Sequence, residues 1–329
     1  MENVNELKRT YPDFKGANIN PNITLSIKES GKTVEAIKKA EKVGKIISTT
    51  LTYAFIVFLA LMVIFPFYWM IITSLKTLDE IQGTTTGRQT FFPEIVMWSN
   101  YVYVFEKFNF TKYMTNTIVV AIFSTIGTLI TTIFSAFAFA RLRFKGRETL
   151  FMVFLMTMMI PGEMMVLSNY ITVASFGWMT EEQTIIQAYA CMIVPFWVSV
   201  FYIYLLRQNF KQIPNELYLA AKVDGKSDWS YLWKVMVPLA APTLISITIL
   251  KFMGTWNSYM WPQLVCKEEA YTLISNGLRG SQFTNADTNI TEYGYRMAAT
   301  VLVTVPLFLL FVFFRKYIMR GVGRAGIKG

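Results

Sequence analysis

Residues 219–229, Leu219 to Trp229, read LAAKVDGKSDW and stand between two long apolar runs. The segment is too polar to cross a bilayer and too rich in small and aromatic residues for a bare connector. Pro214 and Asn215 offer a helix start, Leu217, Ala220, Ala221 and Asp224 recur at three- and four-residue spacing, and Gly225 supplies a stop. A second short helix is predicted from Ser227 or Asp228, with Trp229, Leu232, Trp233 and Met236 on one stripe. Two short helices joined at a glycine make a knob. On the residues alone two readings of it stay open. Either it packs beneath its own chain, or its small residues and aromatic stripe enter a groove of a separate protein.

The flanking runs set the class. Hydrophobic residues make up 53% of the 329 and charged residues 16%, with 27 Phe and 18 Met, against the roughly 25% charge of a soluble domain. Uncharged stretches near the ~20 residues that a bilayer core requires fall at about Ile47–Ile72, Tyr113–Ala140, Thr149–Ile171, Ile185–Leu206, Val237–Trp261 and Met297–Phe314. The runs lack period-two alternation, so helices rather than barrel strands are expected. The predicted fold is an all-α membrane protein of six transmembrane helices. Pro66, Pro161, Gly162, Pro195, Pro242 and Pro306 lie inside these spans, where neighbouring helices can re-satisfy the freed backbone groups.

Lys and Arg fix the orientation. Placing both termini on one side gives that side 23 of the 31 Lys and Arg and the other side 6, with Lys251 and Arg296 the remaining two. The positive-inside rule makes both termini and the knob cytoplasmic. The net charge of +10 then answers to topology and to anionic membrane lipid, and no nucleic-acid partner is expected. The predicted organisation is a basic N-terminal arm at 1–45, a six-helix membrane domain at 46–320 containing the cytoplasmic loop 207–236, and a tail at 321–329. Thr33 to Lys45 is predicted as a basic helix at the membrane surface.

Catalysis by this chain is not expected. It contains no histidine, and its two cysteines, Cys191 and Cys266, are too few and too separated for a zinc site or a disulfide framework. No metal or cofactor is expected. SGKT at Ser30–Thr33 and GKS at Gly225–Ser227 are half-signals for a phosphate loop, but the position that needs the first glycine holds Ser26 or Ala220.

Two charges fall inside predicted spans. Counting at ~1.5 Å per residue along straight helices puts Glu163 and Lys251 at the same depth, about 21 Å, and predicts that they pair. The pair reads either as a clamp between helices or as part of a pathway. Trp256, Asn257, Tyr259 and Trp261, near the outer end of the fifth span, read either as an interface belt or as a platform for sugar rings.

The segment 215–242, NELYLAAKVDGKSDWSYLWKVMVPLAAP, resembles the EAA loop of permease subunits of binding-protein-dependent ABC importers. In order along the chain, SLKTLDEI (74–81), FFPE (91–94), NYVYVFE (100–106), ARLRFKGRETLF (140–151), MIPGEMMVLSNY (159–170), FMGTWNSYMWPQL (252–264) and GVGRAGIKG (321–329) resemble segments of MalG-type sugar permeases. The resemblance covers about Leu51 to Gly329. It implies the type I ABC importer permease fold in a bacterial-type plasma membrane. The implied partners are a second homologous permease, two copies of an ABC ATPase and an extracytoplasmic solute-binding protein. The implied cargo is carbohydrate. It carries the ATPase-coupling role to Glu216, Ala220, Ala221, Asp224, Gly225 and Trp229, and leaves Glu163, Lys251, Trp256 and Asn257 as translocation-pathway positions. The sequence departs at Leu219, where the family's loop usually carries a glutamate, and at Glu163, where the family more often has glutamine. A self-contained secondary transporter, expected to show paired broken helices, and a membrane-embedded transferase are the alternatives; neither needs the knob.

Overall fold

The computed structural model describes residues 21–83, 90–280, 283–284 and 290–323. The arm before Pro21 and the tail sequence from Arg324 therefore lie outside the described residues. Among the described residues all regular structure is helical apart from one isolated bridge between Thr284 and Thr291.

The chain forms two compact units, divided between Tyr68 and Trp69. The first is carried by helix α1, Pro21–Ser74, 54 residues long. The predicted surface helix at 33–45 is not set apart from the span that follows, since Gly44 continues the helix. Its Lys-, Glu- and Ala-rich sequence has good helix formers and no proline between Pro21, at its start, and Pro66. None of its most apolar window is buried.

The second unit contains, in order, α2 (Leu78–Gln82), α3 (Ser99–Lys107), α4 (Phe110–Ala140), α5 (Arg147–Thr157), α6 (Val166–Ser175), α7 (Ile185–Ile193), α8 (Val200–Gln212), α9 (Asn215–Val223), α10 (Asp228–Tyr231), α11 (Ala241–Trp256), α12 (Met260–Val265), α13 (Ile274–Arg279) and α14 (Tyr293–Gly323). Among the described residues three helices are long and apolar enough to cross a membrane whole, those at 41–74, 110–140 and 293–316. Three more spans exist only as bent pairs: 147–157 with 162–175 at 89°, 185–196 with 200–212 at 50°, and 228–239 with 241–256 at 77°. Six spans result if each pair counts once, so the predicted number stands. The predicted straight courses do not. Breaks occur at Met158–Pro161, Trp197–Ser199 and Ala240, and the fifth span ends at Trp256, with Trp261 on the separate helix α12.

Helix α4 is the axle of this unit and packs against α3, α7, α8, α11 and α13. It can do so because one side carries small or hydroxyl residues. Gly127 is so close to Trp197 that an added Cβ would lie 2.0 Å from the indole nitrogen. Where α4 ends, Ile133 and Phe137 join Leu206 and Phe210 of α8, Tyr231 of α10, and Leu232, Met236 and Ile247 in one buried cluster. Where α4 begins, Phe110 and Tyr113 pack with Val104 and Phe108 near α3, Trp256 of α11, and Ala298 and Ala299 of α14.

Long-range side-chain bonds tie the loops at the second end. Gln183, almost fully buried, donates to the carbonyls of Trp178 and Val265 and accepts from the Lys267 amide. Asn116 donates to the carbonyls of Ala270 and Thr272, both at 3.0 Å, and accepts from the Tyr189 hydroxyl. Buried polar groups thus find partners across some 80 to 160 residues of chain.

Candidate functional site

The segment Asn215–Tyr231 folds as a helical hairpin. Helix α9 ends in a Schellman motif: the Lys226 amide donates to Ala221 O at 2.9 Å and the Gly225 amide to Lys222 O at 3.0 Å, with Gly225 at φ 69°. Ser227 then caps α10, accepting from the Ser230 amide at 3.2 Å. Asp228 holds the two helices together. It accepts from the Tyr218 hydroxyl and from Lys222 Nζ, each at 2.8 Å. The bonds from Lys222 and Tyr218 hold the Asp228 carboxyl below the ordinary aspartate range.

The faces of this hairpin differ from the simplest sequence reading. Leu232 and Met236 are buried in the core under α4, and Trp229 stacks on Phe134 of α4 with ring centroids 5.7 Å apart while Trp233 meets the same ring edge-on. Leu232 and Met236 thus pack beneath their own chain, whereas Trp229 and Trp233 each rest one side on Phe134 and stay exposed, Trp229 at 61%. Tyr218 and Ala221 also face the core. The outward residues include Glu216, Leu219, Ala220, Val223, Asp224, Gly225 and Trp229, with Val223 88% exposed. Leu219, the departure from the resembled pattern, lies on this outward face.

The hairpin is attached rigidly. Arg141, just past α4, donates to the carbonyls of Phe210 and Ile213 at 2.8 and 2.5 Å, gripping the joint between α8 and α9. Arg207 is buried, donates to Phe139 O and to Glu148 at 2.6 Å, and lies 3.8 Å above the Phe151 ring. Glu148 is also approached by Arg147 at 2.9 Å and by Lys211 at 3.7 Å. On the other side α10 runs through a wide π turn, Leu232–Met236, into Val237–Leu239 and then α11. The π turn falls just before Pro238, which cannot donate a helix bond.

Within the spans, a cavity of about 330 Å³ lies where α4, α7, α8 and α11 meet at the break in the fourth span. Its wall includes Ser124, Ser199, Tyr202, Thr255, Ser258 and Lys251. Among the described residues the five hydroxyls have no intramolecular hydrogen bond. Several other hydroxyls of the same helices are committed, Thr125 to Ala121 O, Thr128 to Phe196 O and Thr248 to Leu244 O, while the buried Thr132 hydroxyl of α4 has no partner. Lys251 Nζ donates to Phe196 O at 3.0 Å.

The pathway residues expected from sequence separate at this point. Lys251 lines the cavity. Glu163 is exposed on the short turn Gly162–Met165 and forms no salt bridge with Lys251 among the described residues, so the predicted pair does not form. Equal depth was counted along a straight third span, and that span turns by 89° before Glu163. Trp256 is buried against Phe252 and the second core, and Asn257 is exposed and caps α11 by donating to Met253 O. Neither lines the cavity, although their neighbours Thr255 and Ser258 do. Tyr259 stacks under Arg279, and the Trp261 indole donates to Cys191 O. The cavity hydroxyls were missed. The available signal was Ser199, a polar residue four positions after Pro195 inside an apolar run.

Residues 129–324 match the family model described as "Binding-protein-dependent transport system inner membrane component". The chain is 28% identical over 295 residues to the arabinooligosaccharides transport system permease protein AraQ of Halalkalibacterium halodurans, covering 88% of this chain and 99% of the relative. It is likewise 28% identical over 275 residues to the trehalose/maltose transport system permease protein MalG of Thermococcus litoralis, covering 83% and 94%. Among solved structures, a bacterial ABC transporter involved in the import of the acidic polysaccharide alginate superimposes with a TM-score of 0.71 at 24% identity, covering 82% of this chain and 96% of that one. At that identity the likeness establishes the fold alone.

Proposed function

The chain belongs to the inner-membrane components of binding-protein-dependent transport systems, the multi-pass permeases of ABC importers, and from that premise we propose that its cargo is an oligosaccharide or a related polyol. The observation that carries the proposal is the cavity: five hydroxyls uncommitted within the chain line a space of about 330 Å³ at a helix break. Sugar hydroxyls need fixed donors and acceptors, and a concave site with a few convergent polar groups supplies them. Relatives of similar length named for arabinooligosaccharides, trehalose and maltose point the same way.

The partners in this reading are a second related permease, two copies of an ATPase and an extracytoplasmic binding protein that delivers the solute. Both termini and the hairpin face the cytoplasm. The outward face of α9, from Glu216 through Leu219, Ala220 and Val223 to Asp224, seats in the ATPase, and Gly225 shapes the turn behind it. Closure of the ATPases on ATP moves the hairpin as a body. The Arg141 grip on α8 and the shared core with α11 carry that motion to two of the helices that wall the cavity. The three broken spans would also suit a secondary transporter; membership in the family decides against it.

The test is purification of the tagged chain from its native membrane in mild detergent, followed by ATP hydrolysis with binding protein and saccharides. Co-purified ATPase whose activity rises with saccharide-loaded binding protein is the expected result. A second permease without any ATPase would refute the energetic coupling, and hydrolysis indifferent to every saccharide would refute the cargo.

A further inference from the structure

Lys251 is the one charged residue in the cavity wall, and no carboxylate lines that wall. Its ammonium is held by a neutral acceptor, the carbonyl of Phe196, which also accepts from the Thr128 hydroxyl. That carbonyl is exposed because the fourth span breaks there: Val194–Phe196 is a 3₁₀ turn and the next helix starts only at Val200. The end of the first half-span presents the negative pole of its peptide dipoles to the lysine. One of the three N–H donors of the ammonium is thereby used and two remain. Among the described residues the positive charge meets no acidic side chain, since the salt bridges of the chain lie around Glu148 and Asp228. A cation kept inside a membrane domain without a counter-charge is expensive, and such residues mark pathways.

Resting on the carbohydrate reading, we propose that Lys251 is a specificity-determining residue that selects acidic saccharides, its ammonium pairing with a carboxylate or phosphate on the sugar while Ser124, Ser199, Tyr202 and Thr255 bond the ring hydroxyls. A neutral sugar satisfies the hydroxyls equally well and leaves the charge uncompensated. An acidic one supplies the missing counter-charge in a site shielded from water, where a charge-assisted bond is about twice as strong as a neutral one. The Phe196 carbonyl positions the ammonium in advance of the cargo.

The experiment uses the whole importer in proteoliposomes with its binding protein. Uptake is measured for a panel of uronate oligosaccharides, their neutral counterparts of the same linkage, and hexose phosphates, on wild type, Lys251→Met and Lys251→Arg. The expected result is uptake of an acidic member by wild type, lowered about tenfold or more by Lys251→Met, consistent with loss of a charged hydrogen bond, and largely kept by Lys251→Arg. Uronates and hexose phosphates as separate arms tell which anion is taken. Transport of neutral saccharides only overturns the proposal and leaves the carbohydrate reading intact. Equal loss of acidic and neutral uptake in Lys251→Met also overturns it, because the lysine then balances a charge elsewhere in the complex. If Lys251→Met does not assemble, the wild-type preference still decides, and a preference for the neutral counterpart is fatal. No uptake of any saccharide refutes the carbohydrate reading itself.

Discussion

Gly225 offers a clean separation of backbone from packing. It sits at φ 69°, and a Cβ built on it meets nothing within 4 Å, so a substitution there is opposed by handedness alone. For an ordinary L residue the left-handed conformation costs roughly 1–2 kcal/mol, and Asn escapes much of this through local side-chain bonding. A β-branched residue at positive φ is a genuine outlier. The Schellman bonds from Lys226 and Gly225 to α9 depend on that conformation. Gly225→Ala should therefore raise the open population of the hairpin by about 5- to 30-fold. Gly225→Asn should raise it less and Gly225→Val more. Hydrogen–deuterium exchange of the segment 222–228 in the purified complex reads this directly, since local opening sets the exchange rate. ATP hydrolysis stimulated by loaded binding protein should fall in the same order. If Ala exchanges as slowly as the wild type, or Asn opens the turn more than Ala, the conformational argument fails. Loss of hydrolysis without faster exchange would place the effect in contact with the ATPase instead.

Replacing Arg207 with Leu removes the side-chain donor to Phe139 O and the shortest of the bonds to Glu148, which keeps Arg147 and Lys211, and should lower complex stability by about 1–3 kcal/mol. Lys at that position should not rescue it, because two separate nitrogens serve the two acceptors; full rescue in a thermal unfolding scan would refute the bidentate role. Asp228 has its folded-state pKa depressed by Lys222 and Tyr218. Its contribution to the hairpin is thus fully present above the unfolded value near 3.8 and is lost as pH falls through the folded one. Hairpin exchange, corrected for intrinsic rates, should be flat from neutral pH to about 5 and should rise only below the ordinary aspartate range; Asp228→Asn should remove that rise. Gly127→Ala should cost about 1–3 kcal/mol by forcing the Trp197 indole aside, and Trp197→Ala should abolish most of that penalty. Equal losses in both backgrounds would show that the close approach is not the cause.

Hydropathy made the six spans legible because a bilayer core imposes length and apolarity on every one of them. Their breaks were not legible. Pro66 and Pro306 sit inside continuous helices, whereas the chain turns near Pro161, Pro195 and Pro238, although all are prolines in apolar runs. Proline frees a carbonyl in each case. Whether the helix then bends depends on who else can satisfy the freed groups. The hairpin was legible in outline for the opposite reason: its cap, its glycine and its Asp–Lys and Asp–Tyr ties are local, so the sequence carries them whole. The packing of its aromatic side was not legible, because Phe134, the partner of Trp229, lies some 95 residues away.

The fourth span shows why the cavity and its lysine were read apart. At Phe196 and Trp197 the open carbonyls are taken by Thr128 and Thr131 of α4 and by Lys251 of α11. Those residues are dozens of positions away in sequence, and nothing in the 185–206 run announces them. The break and the placement of Lys251 are then one event: without the open carbonyl the ammonium would lack its holder, and without α4 and α11 the carbonyl would lack its donors. Pairing Lys251 with Glu163 answered the right question, what offsets a charge inside the membrane, with an acidic side chain. The chain answers it with the end of a broken helix. Because that acceptor is neutral, the answer is partial, and the remaining charge is what a solute can use.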